Sequence, residues 1–69
     1  MSDAGNEMID KMVALRKQKG MTQQELASAA NLTQSVIARL EGKKTVPQLD
    51  TLVKVATALG CRLEIVSAE

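Results

Sequence analysis

Between residues 6 and 60, apolar side chains recur at helical spacing in four blocks, and turn or stop signals separate the blocks. The first block carries Met8, Ile9, Met12, Val13 and Leu15. Lys17 and Lys19 follow it, where cations favour the negative helix end, and Gly20 supplies a left-handed stop. The second opens on Thr22-Gln23-Gln24-Glu25, a capping box in which Thr caps and Glu sits three residues on, and buries Leu26, Ala27 and Ala30. Asn31-Leu32 breaks the pattern, and Asn tolerates the positive φ of a tight turn. Thr33 caps a third helix with Val36, Ile37 and Leu40 inward, which ends in the polar loop from Glu41 to Thr45. Pro47 precedes a fourth helix whose stripe is Leu49, Leu52, Val53, Ala56 and Leu59, stopped by Gly60. The expected class is all-α, a four-helix body over residues 6–60, with residues 1–5 frayed.

The tail changes period. From Cys61 to Ile65, apolar and charged residues alternate, which reads as a short strand over residues 61–66. No second strand is expected in the chain, and an unpaired strand edge invites a partner. In an antiparallel pair about a two-fold axis centred on Leu63, Arg62 faces Glu64 of a second copy and Cys61 faces Ile65. Other centres set like charges opposite each other. Val55 and Leu59 would pack beneath such a sheet. The alternatives are a tail that folds back on its own helices or serves another protein. A single domain of 69 residues buries only about 60% of its unfolded surface, and small scaffolds often gain stability by oligomerising, so a homodimer is expected.

Composition narrows function. There is no His, no Phe, Tyr or Trp, and one Cys, Cys61. A structural zinc site lacks ligands, and Ser-His or Cys-His catalysis lacks its base. No ring is present on which unpaired bases could stack. Lone Cys61 cannot form an internal disulfide, Met1–Gly5 is polar with no apolar run behind it, and no stretch approaches the ~20 apolar residues of a membrane span. The expectation is a soluble protein of a reducing compartment, the cytoplasm, with no cofactor, no metal and no membrane partner, and not an enzyme.

From Gln23 to Gly42 the spacing is helix, short turn, helix. Ala27 lies where the two helices must approach closely. The outer face of the second of them carries Gln34, Ser35, Ala38 and Arg39, with nothing apolar larger than Ala. Such a face is commonly just solvated. Here amide, hydroxyl and guanidinium match base edges, Gln to adenine and Arg to guanine. Thr33 starts the helix, so its N-terminus can offer amides to phosphate while Gln34 reaches a groove.

These residues resemble the phage repressor and Cro-type helix-turn-helix domains, the XRE family. The resemblance runs through Arg16, Thr22, Gln23, Glu25, Leu26, Ala27, Thr33, Gln34, Ser35, Ile37, Arg39, Leu40, Glu41, Lys44, Pro47, Leu52, Ala56, Leu59 and Gly60. Asn31 departs from it, since the family usually has Gly there, and the alternating tail stands in place of a fifth helix. The resemblance implies double-stranded DNA as partner. It implies that Gln34, Ser35 and Arg39 face base edges, that Gln23, Lys43, Lys44 and more weakly Thr45 meet phosphates, and that Arg16 and Glu41 form an internal ion pair. The bottom-up reading of Arg16 agrees, because it follows the stripe of the first helix and so points to the core edge. A compact domain with a short tail further resembles the antitoxins of bacterial toxin–antitoxin pairs, which implies repression of the protein's own operon from a palindromic operator and a small toxin partner. A free-standing or phage-type repressor, and a protein-interaction module, are the rival readings.

Net charge is only +1, nine Lys and Arg against eight Asp and Glu, and the pI is near 7.9, below the usual alert for a DNA binder. Its distribution is more telling. Arg39, Lys43 and Lys44 cluster against Glu41, which Arg16 neutralises, while Asp3, Glu7, Asp10 and Glu69 are expected away from the basic face.

Overall fold

A computed structural model describes residues 3–68. Four helices follow in order: α1 (Asp3–Gln18), α2 (Gln23–Ala29), α3 (Gln34–Glu41) and α4 (Leu49–Ala58). The helix α1 starts earlier than periodicity predicts. Asp3 lies in its first turn, where a carboxylate is favoured by the helix dipole, so Asp3 to Gly5 are helical and not frayed. Met1, Ser2 and Glu69 lie outside the described residues.

The capping chemistry forms as read. Thr22 Oγ1 accepts from Glu25 N–H at 3.0 Å, and the Glu25 carboxylate accepts from Thr22 N–H at 2.8 Å. Thr33 Oγ1 accepts from Val36 N–H at 3.3 Å. Every helix ends by one device. A residue in the left-handed region follows it, and the next N–H reaches back five residues to a free carbonyl. Those residues are Gly20 (φ 69), Asn31 (φ 57), Lys43 (φ 58) and Gly60 (φ 76). The returning bonds are Met21 to Arg16, Leu32 to Ala27, Lys44 to Arg39 and Cys61 to Ala56. At Lys43 the conformation costs about 1–2 kcal/mol that glycine would not pay.

The core is wholly aliphatic and thioether: Ile9, Met12, Leu26, Ala27, Ile37, Leu40, Leu52, Val55, Ala56 and Leu59. The closest packing is α2 against α3, with α1 on α3 and α4 on α2. Ala27 is 2% exposed at the α2–α3 approach. The inward stripe of α4 differs from the expected one. It runs Leu52, Val55, Ala56, Leu59, whereas Leu49 is 70% and Val53 is 45% exposed. At ~100° per residue, Val53 stands roughly 110° round the helix from the middle of that stripe.

The tail also corrects its expectation. Residues 61–68 form no strand, and no other strand exists among the described residues for them to pair with. A β-ladder needs a facing row of N–H and C=O groups, so alternation alone makes none. Leu63 instead folds back, half-buried, onto the core beside Met8, Leu49, Leu52 and Val53. It is thus turned to its own chain and does not stand free to face a second Leu63. Arg62 and Glu64 pair with each other at 3.4 Å within the chain, and Ile65 is fully exposed.

Ile37 is completely enclosed where α3 meets the other helices. Ile37→Ala is expected to lower unfolding free energy by about 2–5 kcal/mol, read as a shifted urea midpoint at unchanged slope. An unmoved midpoint would contradict its central place.

Candidate nucleic-acid interface

Helices α2 and α3 and the turn at Asn31 form one rigid unit. The turn is closed by backbone bonds from Asn31 N–H to Ser28 O (3.2 Å) and from Leu32 N–H to Ala27 O (2.8 Å). With Ile37 and Leu40 inward, α3 presents Gln34, Ser35 and Arg39 to solvent, as the residue order predicts. Arg39 makes no ion pair or side-chain hydrogen bond among the described residues, so its guanidinium donors are free. Thr33 is exposed at the start of the same helix. Its oxygen already accepts the capping bond, which leaves its O–H as a donor.

Arg16 and Glu41 meet as expected. Arg16 Nε donates to Glu41 Oε2 at 2.6 Å and Nη2 to Oε1 at 2.9 Å, while Nη1 donates to Met21 O at 2.7 Å. Their side chains are 11% and 10% exposed. This bidentate pair joins the end of α1 to the end of α3. A connection beyond it was not legible in residue spacing. Gln23 Nε2 donates to Glu41 Oε1 at 3.0 Å, and Gln34 Nε2 donates to Gln23 Oε1 at 2.8 Å. The first residue of α2 therefore bridges the buried ion pair and the first residue of α3.

The loop after α3 holds Lys43, Lys44 and Thr45, all exposed. Lys44 is unpaired among the described residues. Lys43 is not: its Nζ lies 2.6 Å from Asp10 Oδ1 of α1. Asp10 was expected away from the basic face and instead touches it, because the packing of α1 on α3 brings the exposed side of α1 alongside the loop. The local positive charge is reduced accordingly. Arg62, Leu63, Glu64 and Ile65 belong to the tail and are not part of this grouping. No described helix is long and apolar enough to cross a membrane.

The chain is similar to known proteins. A helix-turn-helix family model covers residues 12–66. An uncharacterised HTH-type transcriptional regulator from Haemophilus influenzae is 39% identical over 59 residues, covering 86% of this chain and 60% of its own length. The immunity repressor protein of Bacillus phage phi105 is 41% identical over 56 residues, 81% of this chain and 39% of its own. Antitoxin HigA1 of Mycobacterium tuberculosis is 31% identical over 65 residues, 94% of this chain and 44% of its own. The chain thus spans less than two thirds of the length of each of these relatives. A solved toxin–antitoxin module from Streptococcus pneumoniae contains a chain that superposes with a TM-score of 0.81 at 39% identity, covering 97% of this chain and 74% of that one.

Removing one partner of a buried ion pair strands the other charge. Glu41→Ala is expected to cost about 3–5 kcal/mol, and the double change Arg16→Met with Glu41→Leu to recover most of it. Thermal unfolding of the three proteins checks this: a double variant no more stable than the single one would show that the pair itself, and not the stranded charge, carries the energy.

Proposed function

The chain belongs to the XRE-type helix-turn-helix family of transcriptional regulators, and on that premise we propose that it is a sequence-specific repressor binding double-stranded DNA through α3. The observation that carries this reading is the outward face of α3, where Gln34, Ser35 and Arg39 are exposed and Arg39 has donors free for a guanine edge. Gln34 and Arg39 read bases in the major groove, with Ser35 beside them. Gln23, Thr33, Lys43, Lys44 and Thr45 hold phosphates and set the register.

One such helix spans only a few base pairs, so the protein acts as a homodimer on a palindromic operator. Exposed Leu49, Val53, Ile65 and Val66 supply apolar surface for the second copy. The likeness to antitoxin HigA1 and to the toxin–antitoxin module supports an antitoxin that represses its own operon and binds a small toxin. The phage immunity repressor supports the second reading, a repressor without a toxin. Co-purification with the product of the adjacent reading frame separates the two. In either case the protein works by binding, without catalysis, in the cytoplasm where its operator lies.

On a duplex selected from a randomised pool, Gln34→Ala and Arg39→Ala should each weaken binding by about 1–3 kcal/mol and relax the sequence preference, whereas Lys44→Ala should weaken all duplexes alike. Fluorescence anisotropy titrations check this, and intact binding by Arg39→Ala refutes the assignment. Asp10→Asn frees Lys43 from its intramolecular anion. It should raise affinity for every duplex and steepen the slope of log K against log salt by up to about one charge. A slope and affinity equal to the parent's would remove Lys43 from the contact set.

A further inference from the structure

The hydrogen-bonded series Arg16–Glu41–Gln23–Gln34 has a direction, and chemistry sets that direction at its buried end. Guanidinium only donates and carboxylate only accepts. Glu41 therefore receives Arg16 on both oxygens, and any further group that binds it must also donate. Gln23 can meet that demand only by turning its NH2 toward Glu41 Oε1. Its carbonyl is then left facing Gln34, which must in turn offer its own NH2. A glutamine amide on an exposed helix face has two orientations, related by exchange of N and O, that cost nearly the same in water. Here an ionised group two residues away in the series removes the choice. Gln34 points its carbonyl oxygen and its remaining N–H outward in one fixed order.

Adenine presents an acceptor, N7, and a donor, N6–H, in a fixed order in the major groove. An amide held in one orientation matches that order, and an amide free to turn over matches it only part of the time. We infer that Glu41 is a specificity-positioning residue: acting through Gln23, it fixes the amide orientation of Gln34 and so the base preference at the pair that Gln34 reads. The inference rests on the reading of Gln34 as a base-contacting residue. It gives Glu41 a second task besides neutralising Arg16, and it makes Gln23 more than a phosphate anchor.

The readout is a ratio of dissociation constants for the full-length protein, taken between the selected duplex and duplexes changed at one base pair. Gln34→Ala identifies that pair as the position where preference is lost. A bidentate contact sustains a preference of about 5- to 150-fold there. In the variant that joins Arg16→Met with Glu41→Leu, no carboxylate orders the Gln23 amide, so the ratio should fall toward one. Adding Gln23→Glu to that variant places an acceptor-only group beside Gln34 and restores the orientation of its amide. The triple variant should regain the preference while binding all duplexes more weakly, since it sets a carboxylate near phosphate. A purely structural role for Glu41 predicts the opposite: stability falls, all duplexes weaken together and the ratio holds.

Gln23→Met cuts the series while leaving the Arg16–Glu41 pair whole, and carries the test where the Arg16→Met, Glu41→Leu variant does not fold. A parental ratio in Gln23→Met, or in a folded Arg16→Met, Glu41→Leu variant, overturns the relay. A Gln34→Ala protein with no lost preference at any pair overturns the base-reading assignment itself, and this inference with it.

Discussion

The Arg16–Glu41 pair is the fixed point of this small domain. Taking two charges out of water costs several kcal/mol per ion, and attraction alone recovers it only when geometry is good and the remaining donors are met. Both conditions hold. The fork is bidentate, and the third donor goes to the carbonyl of Met21, in the link between α1 and α2. One guanidinium thus fastens three parts of the chain: the end of α1, the link after it and the last residue of α3. A core without a single aromatic ring has little directional packing of its own, so this polar clasp helps define where α3 stands.

The four helix ends solve a common problem. Each leaves carbonyls without partners, and each turns one residue left-handed so that the following N–H can return to them. Gly20 and Gly60 do so without strain. Asn31 does so at modest cost and loses less chain entropy on folding than a glycine would. Lys43 carries the full penalty, at the end of α3 and beside the candidate interface. Strain of this kind persists only where the surroundings hold it, here the return bond from Lys44 and the ion pair to Asp10.

Much of this was legible in the residues. The Thr22/Glu25 box, the Thr33 cap, the stops at Gly20 and Gly60 and the turn at Asn31 are local, each set by the chemistry of a few neighbouring side chains. The outward placement of Gln34, Ser35 and Arg39 follows from the helical period once Ile37 and Leu40 are known to point inward. What could not be read depends on distant parts of the chain meeting. Val53 and Val55 are equally apolar, and only the packing of α4 decides which is covered. The alternation at 61–65 resembles a strand, but a strand is a relation between two segments, and Leu63 finds apolar cover on its own helices instead. Asp10 and Lys43 are far apart in sequence, and the link from Glu41 through Gln23 to Gln34 leaves α3 for α2 and returns.

The Asp10–Lys43 contact changes what the loop after α3 can offer an anion. An occupied ammonium is not a vacancy. An incoming oxyanion must displace the carboxylate, so the gain is the difference between two ion pairs of similar strength, each worth little at a surface. A solitary anion wins almost nothing by that exchange. On the proposed reading, a polymer that presents many charges at once would win more, because it would engage Lys44 and Arg39 in the same event. The internal pair would then work as a threshold, weighting the loop toward extended polyanions over small anions.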